Sequence, residues 1–594
     1  NITMGSNSTI NVGNGTTFSG QIYGTSDGAG TLNVLGNFTS GGNIGSISAS
    51  TLAQINISGG NTFTLSHDAK ANNMDINGTV TADGSIVANV TMGASGTLNL
   101  NTTTTADDSA AATLEGTIDG YDAQQGTLNI NGTFTTQGVI GGTYGLAAIN
   151  LDVDNNATSV QGNTVTFAHN VNATTITLGT TTSGANATLT LSETSDGSNL
   201  IITGDIAGGG NYTAGSGIAS GVLDINSDTD VTGTTGTSGA YLADVEIANA
   251  MVLTVKDSIY SGNITLQGVG NNSNNATLAL NGTSGSSYDV YAQIDGSVNS
   301  NENQGEASGL IEVNSGNWTF QSSIGQVNMI SGMTVADGAW ANISNNISAN
   351  ETVTINGTLN VTGSLSLTAF DSSAAGRGLI FGSTINNSTL QVSDDAVLTI
   401  GSKTTAGVAQ GDGASFNNAT IRLKGAGTSS YSTNSTAAIN IGANNQTVTL
   451  SQLTIDMAVT GSNNTYSDGQ VVNIIGRGST AGNNGTLTVS GSINVLDGSA
   501  MLSFSENSAD FMTGSGTNNQ TNDSALQVTV NYVSASTLGL TGNTKATYDG
   551  AKIAISTDAA IFQALATMDG NAAVDAAIAT MHPATGGAAA ASAS

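Results

Sequence analysis

The chain has 594 residues, of which only 8% are charged and 4% aromatic, and 41 acids against 9 bases leave a net charge of −32. Its 38% hydrophobic content suffices for a long thin core and separates it from disordered chains, which combine low hydrophobicity with dense charge. The acidity opposes nucleic acid and anionic lipid as partners, and the absence of cysteine excludes disulfides, thiolate metal sites and thiol nucleophiles.

Strand-like alternation recurs along the chain. It is seen at Thr31-Leu32-Asn33-Val34, Thr97-Leu98-Asn99-Leu100, Thr127-Leu128-Asn129-Ile130, Thr358-Leu359-Asn360-Val361 and Thr486-Leu487-Thr488-Val489. Each segment puts branched apolar residues on one face and Thr or Asn on the other. Asn77-Gly78, Asn131-Gly132, Asn281-Gly282 and Asn356-Gly357 supply corners, because Asn and Gly tolerate positive φ. The single proline, Pro583, leaves nearly the whole backbone free to enter a sheet.

A longer repeat overlies this pattern. The passage from Thr31 through Phe38 and Ile44-Gly45 to Leu52-Ala53-Gln54-Ile55 returns from Thr127 through Phe134 and Ile140-Gly141 to Leu146-Ala147-Ala148-Ile149, with the Ile-Gly pairs 96 residues apart. Asn61-Thr62-Phe63-Thr64-Leu65-Ser66-His67 is likewise matched by Asn163-Thr164-Val165-Thr166-Phe167-Ala168-His169. A looser copy runs from Val222-Leu223-Asp224-Ile225 to Leu242-Ala243-Asp244-Val245, and a fourth begins at Leu310-Ile311-Glu312-Val313. Such repetition indicates stacked coils; tandem β-sandwiches use larger aromatic cores and more proline turns. The expected fold is all-β, a right-handed parallel β-helix (β-solenoid) over residues 1–520, since crossovers of that hand dominate.

Residues 521–557 read as a C-terminal β cap, with the alternating Leu526-Gln527-Val528-Thr529-Val530 followed by Leu538-Gly539-Leu540-Thr541-Gly542-Asn543. From 558 to 594 the pattern turns helical. Asp558 suits an N-cap, Ile561, Leu565 and Met568 form one apolar stripe, and Val574, Ile578 and Met581 form a second. No run reaches the ~18 apolar residues of a membrane helix, so membrane insertion by this segment is not expected.

These C-terminal residues resemble the passenger–translocator junction of type V autotransporters, in which a strand pair like 525–533 and a segment like 538–543 precede an Ala- and Leu-rich helical linker. The stretch Ala579-Thr580-Met581-His582-Pro583 is similar to the family's approach to a translocator barrel, and the upstream repeats look like those of large surface-antigen, S-layer-like autotransporters. The resemblance implies a parallel β-helix exported across the outer membrane to the surface of a Gram-negative bacterium. It also implies adhesion, self-association or coating as the role, with the chain itself or surface ligands of other cells as partner. A coat or extracellular fibre subunit, and a β-helix polysaccharide-active enzyme, are the alternatives.

No catalytic constellation or cofactor motif stands out. His67 and His169 occupy matched strand ends, with Asp68 after one and Asn170 after the other, and His582 lies near the C-terminus. No Gly-Asp-Ser-Gly or phosphate-loop pattern occurs, and no Gly-x-Ser-x-Gly stands in a strand–helix context. Asp224, Asp228 and Asp230 make a weak candidate metal site, because a calcium loop would need Gly at its sixth position and Glu at its twelfth, where Thr235 stands. Asp152, Asp154 and Asn155 form a second weak cluster. Loosely bound cations are the one ionic partner that the acidity invites. Asn-x-Ser/Thr triplets such as Asn37-Phe38-Thr39 and Asn89-Val90-Thr91 are frequent in so Asn- and Thr-rich a chain.

Overall fold

The computed structural model describes residues 1–45, 50–101, 112–151, 163–179, 187–193, 197–210, 212–213, 216–217, 219–268, 275–297, 307–349, 352–363, 365–369, 379–381, 388–392, 396–400, 404–405, 408–409, 414–423, 437–441, 447–457, 465–477, 486–489, 491–496, 501–508, 524–566, 568 and 570–581. The fold is a parallel β-helix of many short strands, with a few short helices near the C-terminus. It divides into two compact units, residues 1–283 with 287–311, and 284–286 with 312–594.

In the first unit each coil is closed by strands on three faces. One face stacks Leu32, Ile55, Met74, Val90 and Ile118 in register. The next stacks Phe38, Phe63, Val80, Leu98, Leu128 and Ile149. The third passes through Ile22, Ile44, Ala69, Ile86 and Leu114. All these side chains point inward and are buried, and each such aliphatic burial contributes roughly 1.5–3 kcal/mol. Aromatics stack along the core where they fall in register, as for Phe38 and Phe63 with ring centres 5.3 Å apart. Every strand anticipated from alternation is present, including Thr31–Val34, Thr127–Asn131, Thr358–Val361 and Thr486–Val489.

The corners explain the long repeat. Gly45 and Gly141 have φ of 72° and 70°, and a Cβ would stand 2.1 Å from the Lys70 carbonyl oxygen in one case and 2.2 Å from that of Asn172 in the other. Only glycine satisfies both the positive φ and the close approach of the next coil. The third corner of this kind is Thr235-Gly236, with φ 79° and the Tyr260 carbonyl oxygen 1.9 Å from where a Cβ would stand. The alternation pattern anchors the third copy at Leu242 and passes over this corner, because Thr replaces Ile. Thr235 is fully buried, and its hydroxyl has no hydrogen-bond partner among the described residues.

The three corners lie on three different faces. Ile44 bridges Ile22 and Ala69, Ile140 bridges Ile118 and Val171, and Thr235 bridges Ile206 and Ile259. The long strands that follow them, Ala69–Ile76, Val171–Leu178 and Ile259–Leu266, turn successive corners in the same order. The repeat therefore spans a whole number of coils plus one face, and each copy is rotated one face from the last.

The second unit builds its own ladders. One runs through Asn317–Phe320, Trp340–Ile343, Thr358–Val361 and Ser388–Val392. Another runs through Ile347–Ala349, Leu365–Ala369, Leu398–Ile400, Ile439–Ile441 and Gln470–Arg477. This second ladder ends differently from the rest, because Ser524–Tyr532 adds to Gln470–Arg477 antiparallel and Leu502–Ser508 adds antiparallel to it in turn. The reversed pair straddles the boundary expected at 520.

Helix α1 (Gly542–Thr557) begins well before Asp558, where helix was expected. Gly550 and the scattered Thr residues weaken its periodic signal, and its buried anchors, Tyr548 and Ile555, are two turns apart. Asp558 does cap α2 (Ala559–Ala566), accepting hydrogen bonds from the N–H groups of Ala560 and Ile561 at 2.9 and 3.1 Å. The buried face of α2 is Phe562, Leu565 and Ala566; Leu565 of the expected stripe lies in it, while Ile561 and Met568 are only partly covered. In α3 (Asn571–Thr580) Val574 and Ile578 are buried, while Met581 beyond it is 38% exposed. Among the described residues no helix is long and apolar enough to cross a membrane.

Candidate functional site

The carboxylates singled out in the sequence are placed apart. Asp224 points outward from Val222–Ile225 and accepts from the Asn226 amide at 2.8 Å and the Thr190 hydroxyl at 3.2 Å. Asp228 accepts from the Val252 N–H at 2.9 Å, which ties one corner to the next coil. Asp230, on the following face, meets Lys256 at 3.5 Å. Each has its own structural partner, and among the described residues no group of three or more acids or histidines converges on a metal position. Asp152, Asp154 and Asn155 lie outside the described residues, as does His582.

The same corner role accounts for the residues after the two histidines. Asp68 accepts from the Ser85 N–H at 2.8 Å, and Asn170 accepts from the Ile201 N–H at 2.9 Å. Aspartate and asparagine are interchangeable there, because a single side-chain oxygen does the work. His67 is exposed and His169 half-buried; they follow strands in different ladders and are not brought together. Asp27, Asp119 and Asp205 repeat the device toward the N–H groups of Thr51, Thr143 and Thr234. Asn37 and Asn89, from the Asn-x-Thr triplets, do the same toward Thr62 and Thr117.

What the geometry does gather is a set of outward polar rails. Asn33 donates to Asn11, and Asn56 to Asn33, both at 2.8 Å. On another face Asn129 donates to Asn99 and Asn150 to Asn129, again at 2.8 Å. The next positions on that face are threonines, with Thr62, Thr79 and Thr97 in one row and Thr39, Thr64 and Thr81 in the other. Neighbouring rungs of a sheet stand ~4.8 Å apart, so these groups form a regular uncharged lattice. A shallow cleft on this face, lined among others by Thr17, Asn37, Thr39 and Thr64, has no titratable group in its lining.

One acidic ladder interrupts the neutral surface. Asp224 is in register with Glu246, and Asp244 shares the strand Leu242–Ile247 with it. Burial, then the Glu246 charge, pushes the Asp244 carboxyl up to about 6; burial and Asp224 raise Glu246 as well. One Asp244 oxygen is buried without a hydrogen-bond partner among the described residues.

A second charged cluster, not visible in the sequence, joins the helices to the reversed strands. Lys552 of α1 meets Asp468 at 2.8 Å and lies 5.8 and 5.7 Å from the ring centres of Tyr532 and Tyr548. Burial works against the Asp468 charge, yet hydrogen bonds from Lys552 and the Tyr532 N–H, with the lysine charge, hold its pKa below the usual carboxylate value. Burial and nearby acids raise the Tyr466 and Tyr532 hydroxyls well above the usual phenol range. They donate to the Met457 and Tyr466 carbonyls at 2.6 and 2.5 Å. Phe562 of α2 meets Tyr466 edge-on at 6.0 Å. The helical segment is thus docked on the final strands. The only sequence signal for this cluster is the scarcity of basic residues, 9 in the whole chain. Compared with known protein families, curated proteins and solved structures, the chain matches none of them.

Proposed function

We propose that this chain is a non-catalytic structural and adhesive passenger, exported to the surface of a Gram-negative bacterium, that acts by self-association or by binding surface ligands of other cells. The observation that carries the reading is the outward lattice of Asn and Thr on stacked coils, where the amides Asn99, Asn129 and Asn150 are already joined from rung to rung. Such a surface spreads weak, uncharged hydrogen bonding over many positions instead of concentrating it in a pocket. The C-terminal resemblance to autotransporter passengers supports the export route. A polysaccharide-cleaving enzyme would set an Arg or Lys against two carboxylates in a cleft; among the described residues each ion pair, including Arg422–Asp456 at 2.7 Å, joins a base to a single carboxylate.

Antibody labelling of intact cells, read beside sedimentation of the purified chain over a concentration series, tests the proposal. Labelling without permeabilisation together with concentration-dependent association or cell clumping is the expected result. Labelling only after permeabilisation overturns it. Ordered sheets or filaments of the purified chain would replace adhesion with the coat or fibre reading.

A further inference from the structure

The chain has two tryptophans, and the second unit uses them in opposite ways. Trp318 points inward, is fully buried, and donates its indole N–H to the Ser315 carbonyl at 2.8 Å. Trp340 opens the strand Trp340–Ile343 at an outward position and is only partly buried. Its backbone N–H is used by the Gly316 carbonyl, while its indole N–H has no partner among the described residues. An aromatic at an outward position presents a flat apolar face together with an N–H donor, the pairing that amphipathic ligands meet.

The neighbours of Trp340 are neutral and held in place. It stands in register between Asn317 and Thr358. Thr358 also points outward yet is only 8% exposed, so a bulky neighbour lies over it, and Trp340 is the large side chain beside it in the ladder. Two residues along, Asn342 donates its amide to Asn317, Asn360 donates to Asn342 at 2.8 Å, and Gln391 donates to Asn360 at 2.9 Å. These amides all donate in one direction, so their oxygens and nitrogens are fixed along the rail beside the indole.

We propose that Trp340 with Asn342 and Asn360 forms a binding site for a neutral oligosaccharide. A pyranose presents an apolar C–H face and a rim of hydroxyls; the indole takes the first and the fixed carboxamides take the second. A chain of net charge −32 repels anionic glycans, and the uncharged rail selects neutral ones. The assignment rests on the surface-binding reading above and names its partner class.

Tryptophan fluorescence of the full purified chain, titrated with cellohexaose, mannohexaose and maltohexaose and with a heparin hexasaccharide, tests it. At least one neutral sugar is expected to shift the emission saturably, and, with affinities read by isothermal titration calorimetry, Trp340→Ala and Asn342→Asp are each expected to weaken that binding about tenfold or more. Asn342→Asp keeps the ring and carries the test if Trp340→Ala melts early. The site is overturned if no neutral sugar binds at millimolar concentration, if heparin binds better, or if both variants bind as the parent does. Self-association of the same samples separates the two levels: intact association without sugar binding removes this site and leaves the proposed function standing.

Discussion

The stacked coils of the first unit and the docked helices of the second solve the same problem with opposite materials. The coils rely on the backbone: parallel ladders, inward aliphatics, glycine corners, and single Asp or Asn oxygens that accept a backbone N–H from the next coil. The helical end relies on side chains, with Tyr466, Tyr532, Tyr548 and Phe562 packed around one lysine–aspartate pair. Repetition permits the first solution, since each coil offers the same edge to its neighbour. Where the antiparallel strands interrupt that stacking, the edge offered to the next element is no longer the same, and specific, unrepeated contacts take over.

The sharpest way to break this comparison is Phe562→Ala. Removing a fully buried ring that touches Tyr466 is expected to cost about 4 kcal/mol and to release the helices. The helical circular-dichroism signal and amide protection over 542–581 should fall while the coils of the first unit stay protected; loss of protection at Thr31–Val34 would show that the two regions are one cooperative structure. The converse is Gly141→Ala, which adds a Cβ 2.2 Å from a carbonyl at φ 70° and is expected to cost about 3 kcal/mol. Hydrogen exchange should rise around Val171 and leave α1 unchanged.

Two smaller effects sharpen the picture of the coils. Thr235→Val replaces a buried, unpartnered hydroxyl by a methyl of the same shape, toward the Ile found at the other two corners. It is expected to stabilise the first unit by about 1 kcal/mol, read as a higher melting temperature. Asp244→Asn acts through pH. The folded-state pKa is raised from 3.8 to about 6, so the stability associated with the protonated carboxyl is present below pH 4 and lost as pH rises through 6. The gain from Asn is therefore expected above pH 6, at about 1 kcal/mol after allowing for solvent screening of a partly exposed group, and to vanish near pH 4. An equal gain at both pH values would mean that packing, not charge, limits this strand.

The coils were readable from the sequence because one rule, alternation of period two with glycine at the corners, repeats along the chain. Thr31-Leu32-Asn33-Val34 and Ile44-Gly45 behave as their pattern says. The rule fails where it is broken once: Thr235 hides a corner that Ile marks elsewhere, and Gly550 hides α1. The outward rails are also legible, since every second residue of a strand faces out. Trp340 and the Lys552 cluster are not, because their meaning depends on which residues stand beside them across strands and helices, and no local spacing records that.

The one-face advance of the repeat has a consequence for how such a chain diversifies. A duplication that adds whole coils would give each sheet a uniform ancestry, with like positions lined up along it. Here corresponding positions, such as Ile44, Ile140 and Thr235, fall on three different sides, and the sheets of the first unit each carry different parts of the repeat. A change that spreads by recombination among copies is thereby displayed around the whole circumference. The first unit thus distributes its repeated features in azimuth instead of reserving them to one side.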